Sequence, residues 1–196
     1  GQGEEAKSFT PVFCTYEFTA GTTTPNVRNA SISGSSVVFD NGGLIEKVGG
    51  TEGEAAFAQG SSSTPHNVYL YTTGWNAEGT YYRLSAPMND EVSGKVAVTF
   101  SLNGKTDVLQ TWKIYWSNDG ENWTATEYTW STKQNTDELA SAAGNTFTAQ
   151  STTSAGITRT EFTVPASKKI GAGERLYIKL EPSATITGAD VKVQIG

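Results

Sequence analysis

The sequence predicts an all-β fold, an antiparallel β-sandwich, and three observations carry that expectation. Apolar residues recur with period two through many short runs, the spacing that sends alternate side chains of a strand to opposite faces. Clusters of Gly, Asn, Asp, Ser and Pro separate those runs and supply the chemistry of turns. No window sustains a helical period, and 36% apolar residues with 21 glycines and many Thr and Ser suit short strands. A chain of 196 residues buries a sizeable core, and sandwiches of this length occur as one domain.

Residues 1–10 are expected to be a solvated tether, with Gly1 reading as the scar of a removed targeting segment, and 11–196 a single domain. Val12 to Phe18 alternate as a first strand, and Cys14 shares a face with Val12, Tyr16 and Phe18 as a structural thiol. One cysteine excludes an intrachain disulfide. Asn29 to Ser33 and Ser36 to Phe39 read as strands broken at Gly34 and closed by the turn Asp40-Asn41-Gly42-Gly43. Leu44 to Val48 is a short apolar run, and Ala55 to Gln59 reads as a strand or as no element.

After a polar loop ending at Pro65, Val68, Leu70 and Thr72 face one way and Tyr69 and Tyr71 the other. The turn-rich segment Gly74 to Gly79 carries Trp75 and leads into 81–86, where burial of Leu84 implies burial of Tyr82 and Ala86 and leaves Tyr81 and Arg83 outside. Lys95 to Leu102 alternate most regularly, as a central half-buried strand, with Asn103-Gly104-Lys105 a turn or wide loop beyond.

The hairpin at 112–123, W-K-I-Y-W-S-N-D-G-E-N-W, organises the chain. Trp112, Ile114 and Trp116 alternate against Lys113, Tyr115 and Ser117, and Asn118-Asp119-Gly120 supplies the turn. Trp123 is expected to lock the following strand into the core. Residues 131–158 turn rich in Ser, Thr, Ala and Gly and are expected to leave the sandwich, with about two turns of helix at 136–143. At most one or two short helices are expected. Thr160 to Val164, Leu176 to Leu180 and Val191 to Ile195 close the chain as strands, with Tyr177 and Lys179 outward.

A net charge of −6 argues against nucleic acid, whose phosphates require clustered Lys and Arg. No apolar run is long enough to cross a membrane. Catalysis finds little support. His66 is the one histidine and lies in a Ser/Thr/Pro loop, and the carboxylate pairs Glu52/Glu54, Asp90/Glu91 and Asp137/Glu138 are loop neighbours. A glycosidase needs two carboxyls facing each other across a sugar. The expectation is a chain that is not an enzyme, with no cofactor and no catalytic metal.

Aromatic rings stack on sugars while neighbouring polar groups bond hydroxyls, so aromatics that alternation does not bury are the residues to weigh. They are Trp75, Tyr81, Tyr115, Tyr128, Trp130 and Tyr177, for each of which packing at the rim of the core is the competing reading. The candidate ligand-binding set is Trp75, Tyr81, Arg83, Tyr115, Tyr128 and Trp130.

The hairpin resembles the strand and "Y-S-x-D-G-x-x-W" segment of galactose-binding-like jelly-roll domains, the group that includes discoidin-type domains and many carbohydrate-binding modules. Thr15 to Phe18, Gly74-Trp75 with Tyr81 to Leu84, and Phe162 to Leu180 resemble further segments of the same group. The resemblance implies a jelly roll and an exported accessory module, secreted or anchored at a cell surface as in bacterial lipoproteins. It implies a polysaccharide or glycan as partner, or another protein domain if the chain is a structural or interaction module. Some relatives of this kind hold a structural calcium near the first and last strands, where Glu17 and Asp190 fall in this sequence, but the chain lacks a dense oxygen-ligand loop, so no cofactor is expected. A monomer is expected. The terminal cysteine pair of the discoidin pattern is missing, which puts discoidin-like lipid or receptor binding in doubt.

Overall fold

The computed structural model describes residues 29–50, 53–59, 68–75, 79–100, 102–104, 110–126, 128–131, 140–142, 146–149, 157–183 and 193–195. In chain order the strands are β1 (Ala30–Ser33), β2 (Ser36–Phe39), β3 (Leu44–Val48), β4 (Ala55–Gln59), β5 (Val68–Thr72), β6 (Tyr81–Pro87), β7 (Gly94–Phe100) and β8 (Leu102–Gly104). They continue with β9 (Gln110–Ser117), β10 (Thr124–Ala125), β11 (Tyr128–Ser131), β12 (Ala140–Ala142), β13 (Thr146–Ala149), β14 (Ile157–Val164), β15 (Arg175–Pro182) and β16 (Val193–Ile195). A 3₁₀ turn at Ala166–Lys168 is the helical element among the described residues.

The fold is the expected all-β antiparallel sandwich. Its largest sheet runs β1-β2-β3-β6-β15-β9-β10, with β13 also paired to β9. Two four-stranded sheets, β12-β11-β14-β7 and β4-β5-β16-β8, hold the other described strands. Period-two alternation decides which face of the large sheet is apolar. Ile45 pairs with Leu84, Leu84 with Ile178 and Ile178 with Trp116, so one row of buried apolar side chains crosses four strands. Leu70, Val96, Phe100 and Phe162, from the two smaller sheets, belong to the same core. Burying each such side chain contributes about 1.5–3 kcal/mol.

Among the described residues the buried indole N–H of Trp112 has no hydrogen-bond partner, whereas a second set of buried polar groups in this core is bonded. Trp75 donates its indole N–H to Thr72 Oγ1 at 2.9 Å, and the same Thr72 oxygen is hydrogen-bonded to the Tyr82 hydroxyl. Burial pushes the Tyr82 phenol well above its ordinary range, with the Thr72 bond opposing, so it stays protonated.

Several expectations are corrected. β7 is described as far as Phe100 and β8 from Leu102, with Ser101 outside the described residues, and Asn103 and Gly104 are strand residues where a turn was expected. β7 lies at the end of its four-stranded sheet and is not central among the described residues. Part of 136–143 is the strand β12, paired to β11, because Ala140-Ser141-Ala142 gains ladder bonds that an isolated short helix lacks. The stretch expected to leave the sandwich also supplies β13, which lies against β9 in the large sheet. Ala55–Gln59 is a strand, β4, paired to β5. Val12 to Phe18, Cys14, Glu17, His66 and Asp190 lie outside the described residues, as does the tether at 1–10.

Candidate functional site

The same alternation that fills the core fixes what the large sheet turns outward. Glu46 of β3, Arg83 of β6, Lys179 of β15 and Tyr115 of β9 form one cross-strand row, Glu46 opposite Arg83, Arg83 opposite Lys179 and Lys179 opposite Tyr115. Tyr81 stands two positions from Arg83 on β6, and Tyr177 two positions from Lys179 on β15. All six side chains are half-buried. Side chains directly opposite on one face sit close enough to interact.

The β9–β10 hairpin adds a third ring beside Tyr81 and Tyr115. Its turn is built on Ser117 and Asp119. The backbone N–H groups of Asp119 and Gly120 donate to Ser117 Oγ at 3.1 and 2.9 Å, and those of Glu121 and Asn122 donate to Asp119 Oδ1 at 2.8 Å each. Asn122 Nδ2 donates to Asp119 Oδ2 at 2.7 Å. The backbone bond from Asn122 is the foremost of these in holding the Asp119 carboxyl well below the usual carboxylate range. Gly120 has φ +78°, and a Cβ there would stand 3.1 Å from the Tyr177 ring, so a glycine lets the turn close over that tyrosine. Trp123 then leaves the turn toward the outer face and meets Tyr81 edge to face, ring centroids 6.3 Å apart.

Three rings gather round one ammonium. Lys179 Nζ lies 5.1 Å from the centroid of Tyr81, 4.7 Å from that of Tyr115 and 5.0 Å from that of Trp123. Each contact is a cation–π interaction of roughly 0.5–1 kcal/mol at an exposed site. Beside them Arg83 forks onto Glu46, Nε to Oε1 at 3.2 Å and Nη2 to Oε2 at 3.1 Å, and stands 5.9 Å over the Tyr177 ring. The Glu46 hydrogen bonds raise the Arg83 pKa further, against the opposing effect of partial burial. The face therefore offers ring surfaces and fixed hydrogen-bond donors side by side.

Of the candidate residues, Tyr81, Arg83 and Tyr115 are brought together here. Trp75 is not. It is 1% exposed, its indole N–H is bonded to Thr72, and its ring packs edge-on against Tyr82 and Trp112, so it is a core residue despite its loop position. Tyr128 and Trp130 lie on β11, in a different sheet from the cluster. Trp123, assigned to the core from sequence, belongs to the outer face. Alternation cannot be carried through a turn closed by side-chain bonds, and the parity it gave Trp123 failed there. Lys179 and Glu46 were missed as site residues because only the strand order β3-β6-β15-β9 puts them beside Arg83 and Tyr115.

Among the described residues no group of three or more His, Cys, Asp or Glu is placed to hold a metal, and no helix is long and apolar enough to cross a membrane. Of the carboxylate pairs, Asp90 and Glu91 are both exposed, and Glu91 pairs with Lys169 at 3.1 Å. Glu54 is exposed, while Glu52, Asp137 and Glu138 lie outside the described residues.

No protein-family model matches the sequence, and no curated protein matches it. Among solved structures the chain is similar to the CBM22-2 xylan-binding domain of Paenibacillus barcinonensis Xyn10C, at 14% identity and a TM-score of 0.43 over 77% of this chain and 86% of that one. It is similar at 8% identity and a TM-score of 0.43 to the CBM22-1–GH10 modules of Clostridium thermocellum xylanase 10B, complexed with xylohexaose, over 77% of this chain and 24% of that one. The enzymatically active domain of bacteriophage CBA120 tailspike protein 4 is similar at 13% identity and a TM-score of 0.32, over 78% of this chain and 18% of that one. This chain thus spans about a quarter of the xylanase chain and less than a fifth of the tailspike chain.

Proposed function

We propose that the outer face of the large sheet binds carbohydrate, and that the chain is a non-catalytic accessory module working outside the cytoplasm. The observation that supports this reading is the convergence of Tyr81, Tyr115 and Trp123 within 5.1, 4.7 and 5.0 Å of a single lysine nitrogen, on the outward face of the large sheet, with the Arg83–Glu46 fork alongside. Ring faces take the apolar face of a pyranose, and the fixed donors orient its hydroxyls. The expected affinity is modest, since among the described residues the cluster lies on a sheet face where its side chains stay partly exposed.

Affinity electrophoresis through gels containing soluble polysaccharides tests this, with Tyr115→Ala and Trp123→Ala run alongside. Retardation by a glycan, lost in variants that still unfold cooperatively in urea, is the expected result. If no glycan retards the protein, the reading fails and the face becomes a docking surface for another protein domain.

A further inference from the structure

The outward positions of β3, β6, β15 and β9 hold four cations, Arg83, Arg175, Lys179 and Lys113, and two carboxylates, Glu46 and Glu181. The chain as a whole carries a net charge of −6, so this face is a cationic excess on an acidic protein. Three of the four cations have polar company. Arg83 is taken up by Glu46 at 3.1 Å. Lys113 stands opposite Glu181 in the β9–β15 register. Arg175 donates to Ser85 Oγ at 3.0 Å and to the Gly42 carbonyl at 2.5 Å.

Lys179 differs. Its ammonium meets the faces of Tyr81, Tyr115 and Trp123, and among the described residues it makes no ion pair. Ring faces steady a cation, but they do not replace the strong acceptors that its three N–H donors take. The lysine is thus held at the centre of the platform with its charge available to a ligand.

We infer that the sugar recognised on this face is acidic: a uronic acid whose carboxylate pairs with Lys179 while its ring lies against Tyr115 or Trp123. This rests on the carbohydrate reading above. A pyranose stacked on an aromatic face carries its substituents at the edge of the sugar ring. A carboxylate at that edge is therefore directed across the platform toward the nitrogen shared by the three rings. Charge-assisted bonds of this kind are worth more than neutral ones, and the half-exposed setting makes them sensitive to salt.

The test is affinity electrophoresis against polygalacturonate, alginate and hyaluronate, each beside its carboxyl-reduced counterpart, with the neutral polysaccharide panel in parallel. At least one acidic polymer should bind about tenfold or more tightly than its reduced form, and the difference should shrink at high ionic strength. Lys179→Met should erase the difference and Lys179→Arg should keep most of it. If Lys179→Met does not fold, the comparison of acidic and reduced polymers on the unaltered protein decides alone. Equal retention by acidic and reduced forms, or retention by neutral glycans only, overturns the acidic-sugar inference and leaves the carbohydrate reading standing. A difference that survives in folded Lys179→Met overturns the role given to Lys179. Failure of every polymer to retard the protein overturns both readings.

Discussion

Trp116 of β9 lies face to face on Phe162 of β14, ring centroids 5.2 Å apart and planes 10° from parallel. The two residues come from different sheets, so the stack ties the layers of the sandwich together directly beneath the outer face. Tyr115 is the residue before Trp116 and points the other way. The position of its ring on the platform thus follows from how its two inward neighbours, Ile114 and Trp116, are seated in the core, where they are 0% and 4% exposed.

Phe162→Ala should therefore destabilise the fold by about 3–5 kcal/mol, the range for emptying a buried aromatic site. Urea unfolding of the variant reads this directly. A loss under about 1 kcal/mol would mean that the layers close over the gap and that the stack contributes little.

The turn that delivers Trp123 should be sensitive to acid. Asp119 has its pKa lowered in the folded chain by bonds from Asn122, Glu121 and Ser117. A carboxyl with a depressed folded pKa adds stability above its unfolded value, near 3.9, and that stability is lost as pH falls further. Asp119→Ala should be less stable than the unaltered protein by a constant margin from about pH 7 to about pH 5, and the margin should narrow below about pH 4. Urea midpoints measured across that range check it, and a margin unchanged down to about pH 3 would remove the carboxylate from the account.

Gly120 makes a separate claim on the same turn. Its φ of +78° disfavours any residue with a Cβ, and the added carbon would stand 3.1 Å from Tyr177 Cε1. Gly120→Ala should cost about 1–2 kcal/mol for the left-handed backbone alone and more if Tyr177 is displaced. Sugar retention should fall with it, because the turn positions Trp123. Stability within experimental error of the unaltered protein would show that the turn adopts another geometry.

The inward set at 82, 84 and 86, at 112, 114 and 116, and at 176, 178 and 180 was legible because one buried face imposes period two on each strand separately. Asp119 and Gly120 were legible as turn residues from local chemistry. Trp75 was misread because loop position says nothing about where a large ring goes. A loop beside the core lets its indole swing inward, given an acceptor such as Thr72. Glu46 and Lys179 were illegible as partners of Arg83, since they lie 37 residues before it and 96 after it in the chain and meet it only through sheet order. Local alternation fixes a face, and long-range pairing fixes a site.

The Arg83–Glu46 fork separates stability from binding. The two side chains are 28% and 25% exposed, so the pair contributes no more than about 1 kcal/mol to folding. Its geometric effect is larger, because two parallel bonds aim the guanidinium and hold it over Tyr177. Glu46→Gln should unfold within about 1 kcal/mol of the unaltered protein yet weaken retention by whichever glycan the platform binds. Arg83→Lys should do the same, since lysine keeps the charge but has no planar fork to lock onto Glu46. Affinity electrophoresis and urea unfolding of both variants check this together. If both fold and bind unchanged, Arg83 lies outside the sugar contact and the platform is reduced to Lys179 and its three rings.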